Sequence, residues 1–318
     1  MRHEEQLKVQ HIHQADFTIF VHVFYPDVWE EMAAELEARV RQPFYLVITR
    51  PAGSKPVMRP RMDHLVAFTE LEVDNRGRDI LPFLTALKQH AMPADAIGLK
   101  LHTKRSPHRS DGDGWRRFLT ASLLQADGHG TLLGHALLAS EPRIGLVAPT
   151  AHLLPLAGRT SINGELMAET RERITPGTSS AALEHSRFPA GSMFWFRASA
   201  LQAVVDTDVT DLFVRESGQL DGTAAHAFER LFAFIAERSG LLAAGMENAN
   251  LILAHQGAPL SHDALSQLID TTLARENPFA LPLADVWRRY PTLLKCAHAI
   301  YARMPKGAVR MLRRSIGR

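Results

Sequence analysis

The residues best equipped for chemistry lie between Leu99 and Arg105, in the run LKLHTKR. On a strand, side chains alternate between faces, so Lys100, His102 and Lys104 share one side while Leu99, Leu101 and Thr103 share the other. Three potential cations then point one way at a strand's C-terminal end, which in α/β sheets is the end where ligands bind. Such a cluster suits a diphosphate better than a neutral molecule. A solvated edge strand with ordinary surface lysines would read the same way.

Two further stretches carry candidates. Asp74-Asn75-Arg76-Gly77-Arg78-Asp79 lies between a strand candidate, Leu65 to Val73, and a run from Ile80 to His90 with Ile80, Phe83, Leu84 and Leu87 at helical spacing. Strand, Gly-containing polar turn and helix is the geometry in which backbone N–H groups and a basic side chain meet an anion. The alternative gives Asp79 an N-cap role and Gly77 a positive-φ turn with no ligand. Asp221-Gly222-Thr223 precedes a second helix, on which His226, Glu229 and Arg230 lie about one turn apart on a face distinct from Phe228 and Phe232. Asp221 can cap that helix, or act as a general base with His226 as its diphosphate-contacting neighbour.

The elements that must position these residues read as an α/β layer architecture. Phe17 to Phe24 is a buried strand candidate, Val28 to Arg41 a helix and Phe44 to Arg50 the next strand. His22 sits inside the first run, either facing a ligand at the sheet edge or hydrogen-bonded in the core. Pro51 to Arg61, with three prolines and three cations, reads as a loop or an abbreviated crossover. Helices are predicted over Trp115 to Gln125 and Thr131 to Ser140, and a strand over Arg143 to Pro149. An excursion with one short helix, Glu165 to Arg173, follows. Phe188 to Arg197, FPAGSMFWFR, is an aromatic strand around a Gly that marks a close approach or a bulge.

The chain's 318 residues can bury a substantial core, and 46% hydrophobic with 22% charged residues is an ordinary globular composition. A net charge of only +2 does not demand a nucleic-acid partner, and none is expected. The single cysteine, Cys296, excludes an internal disulfide framework and a cysteine-based zinc site. No signal peptide or spanning helix is predicted, so the expected location is cytoplasmic. The organisation read is a main domain over residues 1–256 and a helical, basic extension over 257–318. Within the extension, Ser261 to Arg275 is helical and Pro291 to Met304 amphipathic, and from Arg288 onward cations occur with no acid. Such a tail suits an anionic lipid surface, hence peripheral contact with the inner membrane face, or a linker or protein-docking arm.

With these stretches in view, the chain resembles the rhamnan synthesis protein F family, linked to assembly of bacterial rhamnans, O-antigens and capsules. The resemblance rests on VHVFYPDVWEEM (Val21 to Met32), VDNRGRDILPFL (Val73 to Leu84), LKLHTKRS (Leu99 to Ser106), FPAGSMFWFR and QLDGTAAHAFERL (Gln219 to Leu231), in the family's order. It implies a GT-A-like fold and a glycosyltransferase that moves a sugar such as rhamnose or galactofuranose. The donor would be a nucleotide sugar, dTDP- or UDP-linked, and the acceptor a lipid-linked or polysaccharide glycan. The Asp-x-Asp by which many GT-A enzymes hold a divalent ion is absent after the basic strand. The literal matches, Asp206-Thr207-Asp208 and Asp111-Gly112-Asp113, fall in loop-like contexts. The expectation is therefore a metal-independent enzyme without cofactor, in which fixed cations stabilise the leaving diphosphate.

In that scheme Asp221 removes the acceptor hydroxyl proton. His22, Asn75, Arg78, Asp79, His102, Lys104, Arg105 and His226 surround the donor and its diphosphate, and Trp195 stacks on an acceptor sugar. The rivals are a non-catalytic glycan-binding or scaffolding subunit and, with less support, a phosphate-ester hydrolase, for which no dinuclear ligand series or activated nucleophile motif is evident.

Overall fold

The computed structural model describes residues 14–103, 105, 112–160, 163–216, 219, 221–255 and 260–271, with positions 290, 292, 293, 296, 300 and 304 beyond them. The chain opens with β1 (Phe17–His22), α1 (Pro26–Arg39), β2 (Phe44–Pro51), β3 (Leu65–Val73), α2 (Ile80–His90) and β4 (Ile97–His102). Two helices, α3 (Gly112–Leu123) and α4 (Leu133–Ser140), lead to β5 (Ile144–Ala148). Then come β6 (Leu153–Pro155), α5 (Gly164–Ile174), β7 (Arg187–Pro189), β8 (Phe194–Arg197), α6 (Ala224–Arg238), β9 (Leu242–Gly245) and α7 (His262–Thr271).

Seven strands form one mostly parallel sheet in the order β3-β2-β1-β4-β8-β5-β9, in which β8 alone runs antiparallel to its neighbours. The continuous apolar runs of β1 and β2 follow from this position, because a strand covered on both faces has no side to leave polar. Odd-numbered residues of β1 and β4, such as Ile19, Val21, Leu99 and Leu101, enter a core shared with Trp29, Met32 and Leu36 of α1 and Leu119 of α3. The opposite face of the sheet packs on α2 and α6 through Phe20, Phe83, Phe196, Phe228 and Phe232. Gly98 of β4 is required on that face, since a Cβ there would lie 2.3 Å from the Phe196 ring.

Three sequence expectations change. The aromatic run from Phe188 to Arg197 is not one strand: β7 pairs with β6 in a separate two-stranded sheet, and a tight turn containing Ser192 (φ 57°) sends the chain into β8. The basic strand ends at His102, so Thr103 leaves the ladder. Helix α7, placed by sequence in the extension, sends Leu265 and Ile269 into the same core as α1. The 52–64 connection contains no helix, as its prolines predict. The basic segment from Arg288 lies outside the described residues, except at the isolated positions given above. Among the described residues no helix is long and apolar enough to cross a membrane.

Candidate functional site

Strand order reverses between β1 and β4: the chain runs outward from β1 to β2 and β3, then returns to β4 on the other side of β1. In open α/β sheets the crevice outside the strand C-termini at such a switch point is where ligands bind. Here those termini carry His22 and His102, which are register partners in the β1–β4 ladder. The alternation expected from sequence holds: Lys100 and His102 share the α2 face of β4, opposite Leu99 and Leu101.

The structure pairs one of the predicted site residues, an acid, directly with these groups. Asp79 stands at the start of α2 and makes no side-chain cap bond. Its Oδ2 instead accepts from Lys100 Nζ at 2.6 Å and lies 2.7 Å from His102 Nδ1. Lys100, only 1% exposed, also donates to the backbone oxygen of Ser192 at 2.7 Å and to its Oγ at 2.9 Å. These three acceptors match the three protons of an ammonium, so Lys100 braces the turn rather than meeting a ligand's phosphate. Burial opposes charge on Asp79, yet His102 and Lys100 outweigh it and hold its carboxyl well below the usual range. Arg78 and Ser192, two of the three non-glycine residues with positive φ among the described residues, flank this pair. Such backbone outliers gather where a structure over-determines a functional turn.

The turn is fixed from the other side as well. Gly77 (φ 71°) donates its N–H to both carboxylate oxygens of Glu216, at 2.9 and 3.1 Å, and a Cβ on it would strike Leu81 and Phe213. Arg76 donates to the Phe213 carbonyl at 2.8 Å, and Arg78 to that of Gln219. Phe213, Glu216 and Gln219 are thus strapped onto the 74–79 turn.

At Asp221, Oδ1 accepts from Asn163 Nδ2 at 2.7 Å and from its neighbour's Gly222 N–H at 3.1 Å, while Oδ2 accepts from Arg230 at 3.1 Å. Burial raises its carboxyl, but Arg230, Asn163 and His226 prevail and keep it below its ordinary value. His226 Nδ1 accepts the Thr223 backbone N–H at 3.3 Å and lies 2.9 Å from the Thr223 hydroxyl. A ring nitrogen that accepts an amide proton is bare, so neutral His226 carries its proton on Nε2 as a donor. Burial, reinforced by Arg78, lowers His226 to about 4. Asp221 and, more weakly, Asp79 act on the same ring in the opposite sense.

The remaining candidates divide. His22 is buried, bonds Thr49 Oγ1 at 3.0 Å and is lowered to about 4 by burial with help from His102 and Lys100, against the pull of Asp79. Asn75 and Arg78 are exposed on the turn. Arg105 pairs with Asp27 and sits 4.8 Å above the Tyr25 ring, so it belongs to the rim beside α1 and not to the Asp79 cluster. Lys104 lies outside the described residues. Trp195 is misassigned by the sequence reading: it is fully buried, donates its indole N–H to Leu123 O at 2.8 Å and offers no face to a sugar. Its odd register on β8 turns it away from the Lys100 side and into the α1 core.

Sequence reasoning missed Asn163, Ser192, Glu216 and Thr103. Asn163, just ahead of the predicted Glu165 to Arg173 helix, is fully buried, donates to Asp221 Oδ1 and accepts the Gly222 N–H. Thr103 Oγ1 accepts the N–H groups of Phe24 at 2.8 Å and Tyr25 at 2.9 Å, tying β4 to the β1–α1 turn. No group of metal-ligating side chains occurs among the described residues. Asp206 and Asp208 bond Gln202 and the Thr210 N–H, Asp113 lies 3.8 Å from Arg116, and Asp111 is outside the described residues.

Comparison with known proteins agrees with the motifs. The family model for rhamnan synthesis protein F matches residues 2–241. Two curated relatives from strains of Xanthomonas campestris pv. campestris, both described as the uncharacterized protein WxcX, are 35% identical over 227 residues. That alignment covers 70% of this chain and 31% of each relative, so the chain spans about a third of their length. No solved structure matches. The chain belongs to the rhamnan synthesis protein F family.

Proposed function

We propose that this protein acts in bacterial cell-surface polysaccharide synthesis by transferring a sugar from a nucleotide-sugar donor, dTDP- or UDP-linked, to a lipid-linked or polysaccharide acceptor. The observation that carries this reading is Asp79 at the switch point, held at 2.6 Å by the buried Lys100 and 2.7 Å from His102 Nδ1. Strand order and the antiparallel β8 support a GT-A-like fold. In the mechanism proposed, Asp79 accepts from hydroxyls of the ribose or transferred sugar, since a carboxylate repels phosphate. His226 donates from Nε2 toward the diphosphate, and Arg78 and Lys104, with Arg105 from the rim, supply positive charge as the leaving group departs. Asp221 takes the acceptor proton. Its pairing with Arg230 keeps it in the basic form, though it makes the carboxylate a weak base that acts as the sugar C1 becomes electron-poor.

The test is a panel of nucleotide sugars screened for thermal stabilisation and then for transfer. A selective ligand raises the melting temperature with concentration, whereas no stabilisation by any donor would favour the glycan-binding scaffold. Transfer that survives EDTA supports fixed cations. Activity abolished by EDTA and restored by manganese would replace them with a metal.

A further inference from the structure

A groove of about 590 Å³ opens between α1 and the 52–62 loop, on the face of the sheet opposite Lys100. Its size falls within the ~300–1,000 Å³ range of small-molecule sites. Helix α1 contributes Trp29, Ala33 and Ala34, whose two short side chains leave the space, and the loop contributes Val57, Met58 and Met62. Residues 52–62 contain three cations and no acid. Of these, Arg59 is tied to the Leu65 carbonyl at 3.1 Å, while Lys55 and Arg61 are exposed with no protein partner among the described residues. Pro56 and Pro60 restrict the loop, so that Met58, 86% exposed, is held out at reduced entropic cost.

We propose that this groove binds the aliphatic chain and phosphate of a lipid-linked acceptor, an identity that rests on the transfer reading. Apolar lining with unpaired cations along one wall matches a hydrocarbon bearing an anionic head. Glu30 and Glu37 on the α1 wall repel that head and so assign the phosphate to the Lys55–Arg61 side. The groove also extends to the end of β1. Phe24, 45% exposed, lines it, and its ring centroid is 6.5 Å from that of His22. Only the Val23–Tyr25 turn, anchored by Thr103, separates the groove from His22, and β2 ends on the same sheet edge.

The test titrates farnesyl phosphate into the full chain by calorimetry, with farnesol and inorganic phosphate as controls and UDP and dTDP measured in parallel. Farnesyl phosphate should bind at least tenfold tighter than either control. Ala34→Trp, which fills the groove, and Lys55→Glu/Arg61→Glu, which alters only exposed positions, should each weaken it at least tenfold without changing nucleotide affinity. Equal binding to wild type and both variants overturns the proposal, as does displacement of farnesyl phosphate by a nucleotide, which would make the groove a nucleotide site. Association with anionic vesicles but not with monomeric farnesyl phosphate would make it a membrane-contact surface instead. If no nucleotide or nucleotide sugar binds any form, the transfer reading fails, and groove binding that persists is that of a lipid-phosphate carrier.

Discussion

Lys100 and Asp79, 21 positions apart in sequence, meet at 2.6 Å with the lysine side chain 1% and the aspartate side chain 19% exposed. Breaking such a pair from one side strands a buried charge. Lys100→Met should therefore cost about 3–5 kcal/mol in urea unfolding, and the double variant Lys100→Met/Asp79→Asn should recover part of that loss. A single-variant cost below about 1 kcal/mol would mean that the pair does not hold the turn.

Asp221→Asn keeps the size of the side chain but removes the negative charge facing Arg230. Under the transfer reading, turnover should fall by about 10²–10⁴-fold while donor binding, measured by melting temperature, is retained. Unchanged turnover would take Asp221 out of the chemistry.

His22 and His226 are held near 4 in the folded chain against an ordinary 6.5. Between those values the unfolded chain binds protons that the folded chain refuses, so stability falls as pH is lowered from about 6.5 toward 4 and is insensitive to both rings above 7. The loss should be on the order of 1–2 kcal/mol per ring by pH 5. Asp79 and Asp221, with depressed carboxyls, add a further loss only below the ordinary carboxylate range. Urea melts across this window, repeated on His22→Gln and His226→Gln, should show shallower pH dependence in each variant.

Trp195→Phe removes the indole donor to Leu123 O and part of a close-packed ring. It should destabilise the chain by about 1–3 kcal/mol and, under the transfer reading, cause no selective loss of acceptor binding at a given folded fraction. Selective loss would return the residue to the acceptor site.

The layer architecture was legible because its signals are local: apolar runs for β1 and β2, and helical spacing for α2, which spans Ile80–His90 as predicted. The facing of Lys100 and His102 followed from strand alternation. Their partner did not, since Asp79 comes from a different turn and the reading that favoured a cap had equal local support. Trp195 was misjudged because a three-residue aromatic run looks alike on either face, and only the register of β8 says which ring is buried. Asn163 and Glu216 carry no local signal, as their partners lie 58 and 139 positions away.

The Thr103 hydroxyl receives two successive amides from the β1–α1 turn and can return its own proton to the His22 carbonyl at 3.3 Å. Every valence of that oxygen is then engaged, and valine, nearly identical in shape, would leave two amides dry. Cleft and groove are therefore riveted at one atom, so that a shift of the β1–α1 turn on one flank must be carried into the end of β4 on the other.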